Sequence, residues 1–304
     1  MHRLLLRALR SPVSTTIWWP FLFRLHRSVG ASPPTMEMLI KPLRRYLYYD
    51  LSSLGRTRLV KGHYRFLARA FSRSLVTTLF DRQGLEVATL GGRKGSRFAL
   101  ELRPAATTLT DREGELVVSI RAKDQDVALS RLSFLFAERE GAMALLIGGL
   151  QGPPLGNKRQ IVEATRLLHG VRPKDATLLA ARALAAELEL RVRAVSDRKR
   201  LYHYKYKRSI VRNFSDHDDY WRERGASQAN DEDFVFAPLD PVGERESPRE
   251  EVKRAIVGRV RAFVDANRRR PGAPTELGPE PARPADGAIR GAPAKTPLVA
   301  LAKP

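Results

Sequence analysis

The amino-acid sequence predicts an α+β fold, a mostly antiparallel mixed sheet with flanking helices. Three observations lead to this prediction. Residues 36–71 carry apolar side chains at helical spacing, and residues 74–150 contain short β-type runs separated by glycine-rich turns. Residues 157–195 then indicate two helices followed by a strand. Consecutive short strands joined by short turns favour an antiparallel meander.

The elements follow from these patterns in chain order. Two helices are predicted before the sheet, and His63 in the second of them is expected to pack beside the core. Strands are predicted at 75–80, 85–90, 98–102, 116–120, 127–136 and 143–150. Later elements are two helices that begin near Asn157 and Pro173, a strand at 191–195, and helices at 216–225 and 248–269.

Composition restricts the classes of function. The chain has 54 Lys plus Arg against 33 Asp plus Glu, a net charge of +21. A field of this sign attracts nucleic acid, anionic lipid or phosphorylated substrates, although an arginine-rich genome would give the same composition without any such role. Because the chain has no cysteine, disulfide frameworks, zinc fingers and thiol catalysis are excluded. No paired-histidine motif predicts a metal site.

Residues 1–35 form a basic N-terminal arm, since the first acid is Glu37. Its apolar run at 13–23 is too short to span a membrane. Three interpretations remain open: a signal peptide cleaved near residues 29–31, a helix in the interface of an anionic membrane, or an arm packed on the domain. Arg24 and Arg27 follow the apolar run and count against the signal peptide. We therefore expect a cytoplasmic protein, peripheral at the inner membrane under the second interpretation.

The domain is expected to span residues 36–269. From residue 270 to residue 304, proline, glycine and alanine dominate and no periodicity survives. A segment of this composition cannot bury enough apolar surface to fold, so this tail is predicted to be disordered.

A glycine-rich turn gives the first part of a candidate site. An apolar strand ends near Gly148, Gly149, Gln151 and Gly152, where backbone N–H groups would be able to approach a phosphate. The turn is neither a Walker A loop nor a dinucleotide fingerprint. A bulged strand end followed by a tight turn explains the same residues without a ligand.

Polar residues of the next helix and strand extend the candidate site. Arg172 and Lys174 place two cations at a helix start, which opposes the helix dipole by ~0.3–1 kcal/mol per charge and so indicates an anion site. Ser196 and Asp197 follow the carboxyl end of a strand, where α/β sheets commonly place functional groups. These two residues and Tyr202 are the candidate catalytic residues. The glycine turn, Gln151, Arg172 and Lys174 are the candidate cofactor-binding residues.

A basic stretch at 198–212 supports a nucleic-acid hypothesis. Three tyrosines alternate there with His203, Lys205 and Lys207, a pattern that would stack bases and neutralise phosphates. A strand whose tyrosines face the core is the alternative, and we favour it. Glu113 and Glu115 are interpreted as turn residues that flank a strand.

The chain resembles the VirK/YbjX family of uncharacterised bacterial proteins over about residues 40–268. Several ordered motifs carry the resemblance: Gly62-His63-Tyr64, Glu113-Gly114-Glu115-Leu116, residues 147–152, Arg172-Pro173-Lys174, Ser196-Asp197, Asp219-Tyr220-Trp221 and the helix at 251–254. The arginine-rich start, the tail and Pro153-Pro154 depart from that pattern. The resemblance implies a link to virulence, envelope stress and antimicrobial-peptide resistance, and it assigns no reaction and no catalytic residue.

The order of elements is also similar to that of GNAT acyltransferases, in which a strand–loop–helix holds the pyrophosphate of an acyl carrier. The usual glycine-rich loop of those enzymes is absent here. Three hypotheses follow: an envelope-stress factor at the inner face of the membrane, a GNAT-like acyltransferase that uses acyl-CoA or an acyl-carrier thioester, and a nucleic-acid-binding protein. In the second, Gly148–Gly156, Arg172 and Lys174 hold phosphates while Ser196, Asp197 or Tyr202 lies near the acceptor.

Overall fold

A computed structural model describes residue 6 and residues 8–108, 110–153, 157–201, 217–230, 232–240 and 246–270. The helices of this part are numbered in chain order. They are α1 (Pro12–Val29), α2 (Met36–Ile40), α3 (Ser53–Ala70), α4 (Arg73–Phe80), α5 (Lys158–Leu167), α6 (Pro173–Glu187), α7 (His217–Glu223) and α8 (Pro248–Asn267), with a 3₁₀ turn at Lys41–Leu43. The predicted tail beyond residue 270 and the stretch 202–216 lie outside the described residues.

Eight strands of the described chain form one mixed sheet. They are β1 (Leu85–Gly91), β2 (Arg97–Pro104), β3 (Leu116–Ala122), β4 (Ala128–Arg139), β5 (Ala142–Gln151), β6 (Arg191–Val195), β7 (Ala226–Gln228) and β8 (Asp233–Phe236). Their spatial order is β1-β2-β3-β4-β5-β6-β8-β7. The pairs are antiparallel except β5 with β6. The predicted α+β class is therefore confirmed.

The predicted strand at 75–80 is wrong, because these residues form helix α4. Local composition misled the prediction, since Val76, Thr77 and Thr78 favour strands. Two other features favour the helix. The hydroxyl of Ser72 accepts a hydrogen bond from the N–H of Leu75 at 3.3 Å and caps the helix. The buried side chains Leu75, Val76, Leu79 and Phe80 also share one helical face.

Helix α1 packs on the domain, as one of the three interpretations of the arm predicted. Trp18 is fully buried, and its indole N–H donates to the carbonyl of Met38 at 2.9 Å. The indole of Trp19 donates to the carbonyl of Leu39 at 3.2 Å. The two tryptophans therefore anchor α1 to the protein. None of the helices in the described ranges is both long enough and apolar enough to cross a bilayer.

His63 lies in the core beneath β4, which confirms its predicted packing role. Its ring stacks on Phe136 with centroids 5.5 Å apart, and its Nδ1 accepts the backbone N–H of Phe136 at 3.1 Å. Burial, together with the smaller effect of the charge of Lys41, lowers the pKa of His63 to about 3. The folded protein therefore holds this imidazole neutral, whereas the unfolded chain protonates it near pH 6.5.

The depressed pKa of His63 predicts acid sensitivity. The contribution of neutral His63 to the free energy of unfolding is fully present above pH 6.5. It is lost as the pH falls towards 3, at up to about 1.4 kcal/mol per pH unit. In His63→Asn the amide oxygen can accept the Phe136 N–H, but nothing titrates. We therefore expect the wild type to lose about 2 kcal/mol more than this variant between pH 6.5 and 5. Urea unfolding at several pH values measures the difference, with His169→Asn as the control. Parallel pH profiles for wild type and His63→Asn would contradict the prediction.

Candidate functional site

The candidate site lies where the parallel strands β5 and β6 stop pairing. Their last paired residues are Ile147 and Ala194. Beyond this point β5 runs on to Gln151 along β4, while β6 ends at Val195 against β8. We call the gap between these two carboxyl ends the β5–β6 crevice. Crevices at the carboxyl ends of strands, where neighbouring chain connections diverge, are the usual ligand sites of open sheets.

Gly148 and Gly149 lie inside β5, within the strand predicted at 143–150, and the bulged strand end given as the alternative to a ligand-binding turn is present. Gly148 is the extra residue of a β-bulge opposite Ser133 and Phe134. A Cβ at Gly148 would overlap the backbone carbonyl oxygen of Glu113, and a Cβ at Gly149 would overlap the Glu113 carboxylate. Both glycines therefore allow the segment at Glu113 to lie directly on the strand.

Glu113 lies in the turn before β3, as predicted, and its side chain is buried against β5. Its Oε2 accepts a hydrogen bond from Nε2 of Gln151 at 2.9 Å. Its Oε1 lies 3.5 Å from a guanidinium nitrogen of Arg200. Burial raises the pKa of Glu113, although the charge of Arg200 and the hydrogen bond from Gln151 oppose this rise. Glu115, which also precedes β3, is likewise buried.

Asp197 links the end of β6 to the start of α7. Its Oδ2 accepts the backbone N–H of His217 at 2.7 Å, and its Oδ1 lies 3.2 Å from Arg200 and 3.4 Å from Nδ1 of His217. The other ring nitrogen of His217 donates to the carbonyl of Leu150 at 2.9 Å. His217 therefore bridges the two strand ends. Burial favours a raised pKa for Asp197, but the contacts with His217 and Arg200 outweigh burial and hold the pKa well below its usual value.

The start of α6 contributes a half-buried cation beside α7. Burial lowers the pKa of Lys174, and the charge of Arg200 contributes to the shift. The Lys174 ammonium lies 5.9 Å from the ring centre of Tyr220. Tyr220 in turn donates to Asp175 at 2.9 Å. Arg172, the other predicted cation, is exposed.

The remaining predicted residues have different placements. Ser196 is buried, and its backbone N–H donates to the carbonyl of Glu232 at 2.8 Å. Gly152 follows the end of β5. Tyr202 lies outside the described residues, as do residues 154–156 of the glycine-rich turn.

The sequence interpretation missed three members of the crevice. Glu113 was assigned to a turn, Arg200 was counted with the basic stretch, and His217 belonged to no histidine pair. The motif 113–116 within the family resemblance was the only signal for Glu113. His217 carried no local signal, because its partners Asp197 and Leu150 are distant in sequence. Arg200 lies only three residues from Asp197, but its contact with Glu113 joins segments that are distant in sequence.

The crevice places two carboxylates in opposite electrostatic environments. Burial raises the pKa of Glu113, whereas hydrogen bonds and cations lower that of Asp197. Two carboxylates whose pKa values are shifted in opposite directions often take different roles in acid–base catalysis. A carboxylate with a raised pKa suits proton transfer near neutral pH, and one with a lowered pKa suits a fixed negative charge. Across the described ranges, no group of three His, Asp or Glu side chains is arranged to hold a metal ion.

Comparisons with known proteins place the chain among proteins of unassigned function. A family model described as "Protein of unknown function (DUF535)" matches residues 2–260. The uncharacterized protein YbjX of Escherichia coli K12 is 28% identical over 190 residues, which cover 60% of this chain and 57% of that relative. No solved structure matches the chain significantly. The matched range begins in the basic arm and thus extends further than the resemblance noted from motifs.

Proposed function

The chain belongs to the DUF535 family, for which no reaction is assigned, and we propose from its geometry that it transfers an acyl group from a thioester donor such as acyl-CoA or an acyl carrier. One observation carries this proposal. A single parallel strand pair in an otherwise antiparallel sheet ends at Ile147 and Ala194, and acid, base and cationic side chains gather beyond it. The order of strands and helices around this gap is similar to that of GNAT acyltransferases.

The donor would bind along the diverging end of β5. An extended carrier arm can add to a strand edge through main-chain hydrogen bonds. The half-buried Lys174 at the N-terminus of α6 supplies a cation for the phosphates of the carrier, and the helix dipole adds to its effect. Arg172 lies on the exposed side of the same helix start, where it would contact the outer part of the donor.

Acyl transfer requires that the acceptor lose a proton. An amine or hydroxyl attacks the thioester carbonyl carbon, the carbon–sulfur bond breaks, and the thiolate leaves with the carrier. Glu113 would accept the proton of the acceptor and return it to the leaving sulfur, because its raised pKa suits both steps. Asp197 would orient His217 and Arg200 around the donor and stay ionised throughout.

Donor binding is tested by thermal unfolding with acetyl-CoA, palmitoyl-CoA and CoA itself. A donor at 100 times its dissociation constant adds about 2.7 kcal/mol of stability, which raises the melting temperature by several degrees. We expect stabilisation by one of these compounds, and we expect Lys174→Gln to weaken it. Lys253→Gln, a change on the surface of α8, is the control. No stabilisation by any of them at millimolar concentration would contradict thioester transfer.

The role of Glu113 is tested by thiol release from the stabilising acyl-CoA in the presence of cell-envelope extract. Glu113→Gln keeps the shape of the side chain and removes its base, so we expect at least a hundredfold loss of rate with little change in donor affinity. Glu101→Gln is a matched control, because Glu101 is also buried and pairs with two arginines, Arg103 and Arg121. Equal rates for the wild type and Glu113→Gln would show that Glu113 does not take part in proton transfer.

The family resemblance supports the cell envelope as the setting of this reaction, with roles in stress, virulence and antimicrobial-peptide resistance. An acyl group added to an envelope component alters its charge or packing, which is a direct way to reduce binding of cationic peptides. A strain without the protein is then more sensitive to such a peptide, and only a gene that encodes Glu113 restores resistance. Restoration by Glu113→Gln would separate the cellular role from the proposed activity.

A further inference from the structure

We propose that the outer face of α1 docks on an anionic lipid bilayer. The proposal is independent of the transferase reaction. Among the residues that the structure describes, eight large hydrophobic side chains are well exposed, and five of them precede residue 24. Four define the apolar stripe: Leu9 is 77% exposed, Val13 58%, Ile17 37% and Phe23 48%.

The stripe lies opposite the face that anchors α1. Val13 and Ile17 are four residues apart on the outward side of α1, and Phe23 lies about a third of a turn round the helix from Ile17. Leu9 lies in the helical turn that precedes Ser11 and the start of α1. The buried positions on the other side are Ser14, Trp18, Phe21, Leu22, Leu25 and His26. Because those side chains fix the helix to the core, the apolar stripe is held outwards on a rigid support. An apolar patch that remains exposed on a folded domain commonly marks an interaction surface.

The positive charge around the apolar stripe favours an anionic lipid surface as its binding partner. No acid precedes Glu37, and the exposed arginines Arg10, Arg24 and Arg27 flank the stripe. An apolar face bordered by arginines suits the headgroup region of an anionic leaflet. Each basic residue near such a surface adds about fivefold to affinity.

The full-length protein can be tested by sedimentation with vesicles. One set contains phosphatidylcholine alone and the other contains phosphatidylcholine with 40% phosphatidylglycerol. We expect binding to the anionic vesicles that weakens in 0.5 M NaCl, because salt screens exposed charges. Val13→Ser/Ile17→Ser/Phe23→Ser is expected to lower the partition coefficient about tenfold or more. Arg10→Gln/Arg24→Gln/Arg27→Gln is expected to abolish the preference for phosphatidylglycerol.

A matched control uses the exposed apolar residues elsewhere, Met36→Ser/Val127→Ser/Val162→Ser, which should bind as the wild type does. All substituted side chains are exposed, so circular dichroism should show the same fold in each variant. Equal sedimentation of the wild type and the stripe variant would overturn the proposal, and so would loss of binding in the control. A concentration-dependent dimer that only the stripe variant fails to form would assign the face to a second copy of the chain and would also overturn it.

Discussion

Replacing Lys41 with methionine is expected to destabilise the fold by about 3–5 kcal/mol, because it leaves a buried carboxylate without its counter-charge. The ammonium of Lys41 lies 3.0 Å from Oε1 of Glu115, and both side chains are almost fully buried. It also donates to the carbonyl of Gly114 at 3.2 Å. Methionine fills the space of the lysine stem but cannot replace either contact.

The other contacts of Glu115 show why the ion pair matters. The hydroxyl of Tyr64 donates to Oε2 of Glu115 at 2.7 Å, so one hydrogen bond survives the loss of Lys41. A single neutral donor does not offset the desolvation of a carboxylate. Lys41→Met/Glu115→Gln removes the charge and keeps an acceptor for Tyr64. This double variant should therefore be more stable than Lys41→Met alone, with a coupling energy of about 2 kcal/mol or more.

Urea unfolding of the four proteins in the cycle measures this coupling. Arg166→Met is the control, since its 3.7 Å contact with Glu163 is exposed and should contribute less than about 1 kcal/mol. Additive effects of the two buried substitutions would show that Lys41 and Glu115 do not stabilise each other. The sequence gives no indication of this pair, because 74 positions separate its members.

The sequence predicted the helices and strands correctly wherever the spacing of the apolar residues matched the period of the element that forms there. The meander β1–β5 and the helices α6 and α8 each follow from an apolar repeat and from their end signals. The error at 75–80 arose where propensity and spacing disagreed. There the cap at Ser72 and contacts with the core outweighed the strand preference of Val76 and Thr77.

The sequence predicted where in the fold the candidate site would lie, but not which side chains contact one another there. A strand end, a helix start and a second strand end converge in any sheet with a parallel crossover, so Gln151, Lys174 and Asp197 could be expected to lie close together. Glu113 comes from the segment before β3, which the crossover does not join, whereas Arg200 follows β6 three residues after its partner Asp197. The predicted strand at 143–150 included Gly148, but the spacing of its apolar residues did not show that Gly148 is the extra residue of the bulge.

The tryptophans illustrate the same limit. Trp18 and Trp19 beside arginines suggest a membrane interface, yet both indoles bond to the backbone of the segment around α2. The apolar face that remains exposed is formed by residues with no such signature, among them Val13 and Ile17. Composition identified a basic arm with an apolar run, and only the packing shows which face is outward.

Gly148→Ala is expected to destabilise the protein by about 3 kcal/mol or more, at the upper end of the range for overpacked cores. The new methyl group would overlap the carbonyl oxygen of Glu113 and the side chain of Leu47. Leu47 is buried, and the neighbouring N–H of Glu115 is bonded to the carbonyl of Phe134 at 2.9 Å. The backbone at Glu113 therefore cannot retreat without breaking the pairing of β3 with β4.

Gly258→Ala is expected to have the opposite effect on the stability of the protein. Gly258 lies on the exposed side of α8, and no atom lies within 4 Å of its added methyl group. Alanine there should stabilise the helix by about 0.5–1 kcal/mol. Chemical denaturation of both variants measures the contrast. If Gly148→Ala is as stable as the wild type, Glu113 does not lie on the bulge of β5. In that case the crevice would lose the contact that buries Glu113, and with it the physical reason for a raised pKa and for proton transfer at this position.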